Sequence, residues 1–139
     1  MIVLDTDHFS VLLQGKTPGQ NLQARLAAAT EPLAISIISI EEMMRGWLAY
    51  IHGKRDPHDQ IIGYQRLQEF LATLRNWQIL PWDAAAADQL LQLRSLKLRV
   101  ATMDLKIAAI ALIHGATVLT RNEVDFQQIP NLDTDDWLA

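Results

Sequence analysis

The sequence predicts an α/β fold in which a parallel sheet of four or five strands lies between two layers of helices. Two observations support this prediction. Short, continuous apolar runs recur along the chain, as is typical of strands that are buried on both faces of a parallel sheet. Segments with apolar residues at helical spacing separate these runs, so that strands and helices alternate as in βαβ units.

Four segments are predicted to be strands. They cover residues 2–4, 33–35, 78–80 and 117–119. Each is short, rich in aliphatic residues and free of charge, which indicates burial on both faces. The closing acids Asp133, Asp135 and Asp136 are interpreted as a solvated tail.

Helices are predicted between these strands. A short one covers residues 19–29, and apolar stripes at helical spacing mark two more. The stripes consist of Ile40, Met43, Met44, Trp47 and Ile51, and of Leu67, Phe70, Leu71 and Leu74. Asp83 is expected to cap a helix over residues 84–97. A last helix, apolar nearly all round and therefore expected to be central, begins at Thr102 or Met103 and ends at Gly115.

Length and composition predict one domain over residues 1–139, because domains of about 100–150 residues are common. The polar stretch 53–60 is interpreted as a turn between two helices and not as a domain boundary. The longest apolar run, 107–113, is too short to cross a bilayer, and a strand that begins at Ile2 leaves no room for a signal peptide. Because the chain also has no cysteine, we expect a cytoplasmic protein that is not associated with a membrane.

Four acidic residues are expected to meet at one edge of the sheet. Asp5 directly follows the first strand, Glu42 lies early in the helix after the second, and Asp104 opens the last long helix. Asp125 lies a few residues beyond the fourth strand. Ligands of open α/β sheets bind beyond the carboxyl ends of the strands, and clustered carboxylates suit Mg²⁺ or Mn²⁺. The pattern therefore predicts a metal site that could promote phosphoryl chemistry.

Each of these acids also has an ordinary structural interpretation. Asp5 could cap the following helix, and Ser39 with Glu42 resembles a capping box in which Ser39 is the N-cap. Asp104 suits the first turn of a helix, where negative charge is favourable, and Asp125 could be a turn residue. The functional interpretation depends on their shared position at the sheet edge.

Glu42 is preferred to its neighbour Glu41 as the site residue. Glu41 lies four residues before Arg45, a spacing typical of an exposed ion pair on a helix. Glu42 lies four residues before Gly46, which costs helix stability and leaves space beside the carboxylate for a metal or a phosphate.

Four segments of the chain resemble PIN-domain proteins of the VapC toxin family. The first is an aliphatic strand that leads into Asp5-Thr6-Asp7, where the family has Asp-Thr-Asn. The second runs from Ser36 through Glu42-Met43-Met44-Arg45-Gly46. The third is Asp104-Leu105-Lys106-Ile107-Ala108-Ala109, and the last is Leu119-Thr120-Arg121-Asn122-Glu123-Val124-Asp125-Phe126, followed by Ile129-Pro130. Together they span residues 2–132 in the order and spacing of the family, so we expect a PIN-like domain.

The resemblance implies an endoribonuclease that depends on Mg²⁺ or Mn²⁺, is inhibited by a cognate antitoxin and is usually a homodimer. Asp5, Glu42 and Asp104 match the family's acidic core, with Asp5 and Asp104 as the leading direct ligands. Asp125 would supply a fourth catalytic acid. Thr120 and Asn122 would form hydrogen bonds around the site, and Arg121 is the first candidate for positioning the RNA substrate.

The sequence departs from the family pattern at three positions near the expected site. Asp7 replaces an Asn, Ala101 replaces a common Gly, and Asn122 stands where many relatives have an acid. The net charge of -4 is unusual for a protein that acts on RNA, because most such proteins are basic. We expect the clustered acids, offset by divalent cations, to account for it.

Other interpretations remain open at this point. A phosphatase of the haloacid dehalogenase type would use Asp5 as nucleophile and Asp7 as acid, although Phe9 and the short chain argue against it. A receiver-type signalling domain would need an Asp directly after the third strand, where Pro81 lies instead. A PIN module that binds RNA or protein without catalysis is the third alternative.

The remaining distinctive side chains are assigned structural or weaker roles. His8 is interpreted as a partly buried structural residue, and Trp77 and Trp82 as core residues and not as platforms for bases. Part of the Met43, Met44 and Trp47 stripe could contact a partner chain. A basic rim for RNA is considered at Arg94, Lys97 and Arg99.

Overall fold

The computed structural model describes residues 1–139 and contains one parallel sheet. Its strands are β1 (Ile2–Leu4), β2 (Leu33–Ser36), β3 (Gln78–Leu80), β4 (Thr117–Leu119) and β5 (Asp133–Asp135). The spatial order is β3-β2-β1-β4-β5, and all neighbouring strands are parallel. The predicted α/β fold class is therefore confirmed, with five strands.

Seven helices connect and cover the strands. They are α1 (Thr6–Gln14), α2 (Thr17–Ala28), α3 (Ile37–His52), α4 (Ile61–Leu74), α5 (Ala84–Ser95), α6 (Thr102–Ile113) and α7 (Glu123–Phe126). The predicted cap at Asp83 is present, because its Oδ1 accepts a hydrogen bond from the Ala86 N–H at 2.9 Å. Residues 53–60 separate α3 from α4, as predicted. None of the helices is long and apolar enough to cross a membrane.

The predicted solvated tail at Asp133, Asp135 and Asp136 is wrong for the first two residues. Asp133–Asp135 form the edge strand β5, which pairs in parallel with β4. The strand escaped prediction because its acids are exposed and only Thr134 is partly buried, so it has no apolar run. Backbone hydrogen bonds hold it instead, and the pairing continues to the Thr120 N–H, which donates to the Asp135 carbonyl at 2.9 Å.

The start of α3 also differs from the prediction. Ser36 and not Ser39 is the N-cap, and its Oγ accepts a hydrogen bond from the Ser39 N–H at 3.2 Å. The expected capping box is therefore absent. The helix therefore begins about one turn earlier than predicted. Ile37 and Ile38 continue the apolar run of β2 but are already helical, and the buried Ile38 packs into the core. Glu42 consequently lies in the second turn, where its carboxylate does not serve as a cap.

Side chains alternate across the sheet and form two apolar clusters. Val3, Ala34 and Val118 belong to a cluster of 17 buried residues shared mainly with α5 and α6. The neighbouring residues Leu4 and Ile35 belong to a cluster of 9 buried residues on the side of α1, α2 and α4. This alternation has the two-residue period of a strand and produces the three layers. The predicted central helix α6 is buried continuously from Ile107 to Ala111.

Three inner strands end at the same edge of the sheet. Asp5 follows β1, Ser36 ends β2 at the start of α3, and Thr120 follows β4. The Asp5 N–H donates to the Leu119 carbonyl at 3.0 Å, so the backbone of the first acid is held in the sheet. The topology thus places the starts of α1 and α3 side by side beyond this edge.

We expect Gly19→Ala to destabilise the protein by about 1–3 kcal/mol, because a methyl group in a closely packed site is costly. Gly19 is buried in α2, and a Cβ atom there would collide with the carbonyl oxygen of Val11 in α1. Gly46→Ala is the matched control, since Gly46 is exposed in α3 and a Cβ there would meet nothing within 4 Å. It should raise the free energy of unfolding by about 0.5–1 kcal/mol. Urea denaturation measures both changes, and equal stabilities would contradict the close approach of α1 and α2.

Candidate metal centre at the carboxyl edge of the sheet

Asp5 lies at the junction of β1 and α1 and is nearly buried, with 6% of its surface exposed. It is the N-cap of α1, and its Oδ1 accepts a hydrogen bond from the His8 N–H at 2.8 Å. The capping interpretation from the sequence therefore holds for Oδ1. It does not exclude a second role, because no hydrogen bond within the protein engages Oδ2 and that oxygen remains able to bind a cation.

Glu42 projects from α3 toward the start of α1. Its Oε1 accepts a hydrogen bond from the Thr6 hydroxyl at 2.6 Å, and the Thr6 and Ser39 hydroxyls are 3.0 Å apart. Thr6 therefore positions Glu42 beside Asp5, a role that the sequence analysis did not assign to it. The signal was present in the Asp5-Thr6 pair, but nothing in the sequence specified which side chain the hydroxyl contacts.

Asp104 lies in the first turn of α6 and is partly buried. Burial, together with the negative charges of Glu42 and Asp5, raises the pKa of Asp104 from 3.8 to about 6. The charge of Asp125 raises this pKa further, whereas a hydrogen bond from Asn122 lowers it. Asp104 therefore experiences the charges of Asp5, Glu42 and Asp125, so these acids are near enough to influence one another electrostatically, although they do not form a tight group of ligand atoms.

Asp125 is held at the site by the segment after β4. It lies in α7, where its Oδ2 accepts a hydrogen bond from the Asn122 side-chain amide at 2.9 Å. The Asn122 N–H in turn donates to the hydroxyl of the fully buried Thr120 at 2.9 Å. Thr120 thus fixes the turn, and Asn122 holds Asp125 through its side-chain amide.

Arg121, the predicted RNA-positioning residue, forms an ion pair with Asp7 of α1. Its Nε donates to Oδ2 at 2.7 Å, and its Nη2 donates to Oδ1 at 2.8 Å. This contact joins the turn after β4 to the start of α1. The sequence marked Asp7 as a departure from the family pattern and as the acid of the alternative phosphatase, but it did not reveal the partner of Asp7.

His8, Asp5 and Asp7 form the one group of three or more acidic or histidine side chains in the structure that is tight enough to hold a metal ion, and Asp5 is its only member among the four predicted acids. Ligand atoms of Asp5, Asp7 and His8 lie within 4.8 Å of one another, so this group is compatible with a metal ion. His8 is fully buried, and its Nε2 accepts a hydrogen bond from the Trp137 N–H at 3.3 Å. Its Nδ1 lies 3.4 Å from the Oδ1 of Asp5 and has no hydrogen-bond partner. The predicted burial of His8 is therefore complete and not partial.

Few basic side chains offset the acids at this edge. Lys106, two residues after Asp104, directs its ammonium to the ring of Trp82, 5.6 Å from the ring centre. Arg94, Lys97 and Arg99 are exposed in and after α5, and their role as a basic rim remains a prediction. The carboxylate cluster therefore carries negative charge that the neighbouring side chains leave largely uncompensated.

A groove of about 420 Å³ lies between α1, α3 and α4. Met43, Trp47 and Phe70 form much of its apolar lining, and Lys16 and Glu69 lie among its charged residues. Met43 directly follows the site residue Glu42 in α3. The groove and the acidic cluster therefore share one helix.

Comparisons with known proteins agree with the resemblance seen in the sequence. The PIN domain matches residues 2–132. The plasmid stability protein StbB of Pseudomonas syringae pv. tomato is 32% identical over 131 residues, which are 91% of each chain. VapBC2 from Rickettsia felis, bound to a DNA fragment from their promoter, has a TM-score of 0.74 at 25% identity over 99% of both chains. FitAcB from Neisseria gonorrhoeae has a TM-score of 0.75 at 26% identity over 99% of this chain and 98% of that one. The structural neighbours are VapC and FitB toxins of toxin–antitoxin complexes, and this chain belongs to the PIN-domain family.

Proposed function

We propose that the protein is a metal-dependent endoribonuclease whose cation is held by Asp5, Glu42, Asp104 and Asp125. The observation that carries the proposal is the mutual influence of these carboxylates, seen in the raised pKa of Asp104, in a chain of the PIN-domain family. They come from the ends of strands and from separate helices, so the whole fold is needed to bring them together. Like charges that influence one another in this way are unfavourable unless a cation offsets them.

This ligand set is preferred to the group of Asp5, Asp7 and His8. Both carboxylate oxygens of Asp7 accept hydrogen bonds from Arg121, and the His8 Nε2 already accepts one from the Trp137 backbone. Binding a metal there would break the Asp7 contacts and would leave the arginine without its partner. Asp104 and Glu42, in contrast, lack a cationic side-chain partner.

The donor set suits Mg²⁺ or Mn²⁺, because it consists of carboxylate oxygens and the chain has no cysteine. Such a cation would supply Lewis acidity for the attack of water on an RNA phosphodiester. The protein's own contribution is orientation. Thr6 directs Glu42 by its hydroxyl hydrogen bond, and Asn122 directs Asp125 by its amide.

The proposed biological role is that of a toxin inhibited by a cognate antitoxin. The support is the likeness, over nearly the whole chain, to chains solved as VapBC and FitAB complexes. The groove beside Met43 and Trp47 offers a protein partner an apolar surface with charged residues around it. We further propose that the protein acts on RNA in the cytoplasm and forms a homodimer.

The rival phosphatase is disfavoured by the contact between Asp7 and Arg121. Such a phosphatase would need Asp7 free to deliver a proton to its substrate, but both oxygens of the Asp7 carboxylate are occupied by hydrogen bonds from Arg121. A PIN module without catalytic activity is the remaining alternative. It predicts cation binding without RNA cleavage, which the third experiment below detects.

The raised pKa of Asp104 predicts how stability depends on pH without metal. Because the folded-state pKa is about 6 and the ordinary value is 3.8, folding favours the protonated form. This stabilising contribution is complete below about pH 4 and is lost as the pH rises through about 6. Asp104→Asn should therefore stabilise the metal-free protein at pH 7 by about 1–2 kcal/mol, after allowance for solvent screening. The gain should disappear near pH 4.

Urea denaturation in EDTA at several pH values measures this difference. Asp88→Asn is the matched control, since Asp88 is exposed in α5 and its removal changes the net charge equally. A gain of the same size at every pH, or an equal gain in the control, would contradict repulsion within the cluster.

Added Mg²⁺ or Mn²⁺ should raise the melting temperature of the wild-type protein at pH 7.5. A ligand that binds the folded state at about a hundredfold excess over its Kd stabilises it by about 2.7 kcal/mol, which corresponds to a shift of several degrees. Asp104→Asn should reduce the shift strongly, whereas Asp88→Asn should retain it. Differential scanning fluorimetry provides the measurement, and an unchanged wild-type melting temperature would count against the cation site.

RNA cleavage tests the enzymatic proposal directly. Protein freed of antitoxin is incubated with a panel of single-stranded RNAs and tRNA in Mg²⁺, Mn²⁺ or EDTA. We expect cleavage that requires the cation and falls at least about a hundredfold in Asp5→Asn. Asp83→Asn is the matched control, because Asp83 is also a helix N-cap and lies outside the cluster. Equal behaviour of wild type and Asp5→Asn on every RNA would refute the nuclease.

A further inference from the structure

The ion pair between Asp7 and Arg121 joins two parts of the chain that are 114 residues apart. Arg121 approaches side-on, so that Nε and Nη2 each donate to one oxygen of the Asp7 carboxylate. A guanidinium has five N–H donors, and this fork occupies two of them. Both protons of Nη1 and one proton of Nη2 therefore remain for another acceptor.

Both ends of the pair are attached to firmly held backbone. Arg121 follows Thr120, which is fully buried and whose N–H donates to the Asp135 carbonyl at 2.9 Å. Asp7 lies in the first turn of α1, which Asp5 caps. The side chains themselves are about half exposed, at 52% for Arg121 and 47% for Asp7. The free donors are thus accessible, although the guanidinium plane is fixed by the fork.

The guanidinium lies at the border of the acidic cluster. Its pKa is raised above the ordinary value first by the hydrogen bond to Asp7, and the charges of Asp136 and Asp5 add to this. Carboxylate oxygens of Asp5 and Asp7 lie within 4.8 Å of each other, so the arginine that Asp7 binds lies next to Asp5. An anionic group bound at the cluster would meet the free donors of Arg121 at its side.

Stability alone does not account for this arrangement. Exposed ion pairs contribute little to the free energy of folding, because solvent screens them and long side chains lose entropy. A fixed bidentate geometry instead suits recognition of a planar or tetrahedral anion. We propose that Asp7 is a positioning residue that holds Arg121 so that its free N–H groups bind a backbone phosphate of the RNA strand. This inference rests on the proposed ribonuclease function.

Substitution of Asp7 distinguishes an effect of geometry on RNA cleavage from an effect of charge. Asp7→Asn removes one negative charge, so a purely electrostatic effect would favour RNA and raise kcat/KM. Loss of positioning predicts the reverse for kcat, which should fall roughly tenfold because a misplaced substrate reacts slowly. The KM for RNA should stay unchanged or decrease. Arg121→Lys keeps the charge but cannot form the fork, so it should lower kcat similarly.

A double-mutant cycle tests the proposal on the RNA that the wild-type protein cleaves fastest. Wild type, Asp7→Asn, Arg121→Gln and the double variant are compared by kcat and KM in Mn²⁺. We expect Asp7→Asn to lower kcat roughly tenfold when Arg121 is present and to have no further effect once Arg121 is replaced. Glu41→Gln is the matched control, since it removes the same charge and breaks the ion pair between Glu41 and the exposed Arg45 in α3. It should leave kcat unchanged.

Calorimetric titration with Mn²⁺ in the absence of RNA provides a second readout. Asp7→Asn should bind Mn²⁺ as tightly as wild type does, because Asp7 serves Arg121 and not the cation. If the losses of kcat in the two single variants multiplied in the double variant, the two residues would act independently and the positioning role would be overturned. Weaker Mn²⁺ binding by Asp7→Asn would overturn it as well. Either result would leave the ribonuclease intact. An inactive wild type would overturn the ribonuclease first and this role with it, so the two failures are distinguishable.

Discussion

Repulsion among carboxylates at one edge of the sheet is the constraint on which the rest of the site depends. Asp104 shows its effect, since burial first and then the charges of Glu42, Asp5 and Asp125 raise the pKa of this carboxyl to about 6. A fold stable enough to hold these groups must gain its stability elsewhere. It does so in the two apolar clusters on either side of the sheet, where Val3 and Leu4 point to opposite faces directly before Asp5. The core and the site are therefore consecutive in the chain.

The hydrogen bonds around the acids orient them without neutralising them. The Asp5 cap, the Thr6 hydroxyl on Glu42 and the Asn122 amide on Asp125 are all neutral donors. Arg121, which could neutralise an acid of the cluster, is bound instead to Asp7 outside it. Neutral donors fix geometry at modest energetic gain and leave the charge for a cation to balance. This division of roles supports an oxygen-rich cation site better than it supports a set of internal salt bridges.

The fold class and the position of Asp5 at the edge of the sheet could be predicted because both follow from local patterns. Apolar runs defined the inner strands, and the position of Asp5 directly after a strand placed it at the carboxyl edge. The start of α3 and strand β5 could not be predicted in this way. Ile37 and Ile38 suit a strand and a buried helix equally well, and β5 is held by backbone pairing to β4 without an apolar run. The Asp7–Arg121 contact depends on tertiary structure alone, as no sequence spacing links residues so distant.

Strand β5, which the sequence did not predict, would affect how an RNA strand binds to this protein. Strand β5 and the residue after it bring Asp136 close to Arg121, and the tail is fastened by the Trp137 N–H to His8 and by Arg25 stacked 4.6 Å above the Trp137 ring. The carboxylates near the arginine offset its positive charge. Its contribution to RNA binding would therefore come mainly from oriented hydrogen bonds. A polyanion would approach this edge against a negative potential unless cations accompany it. Under the proposed function, substrate binding and cation binding are therefore linked, because the acids that hold the cation are the same charges that repel the RNA when it is absent.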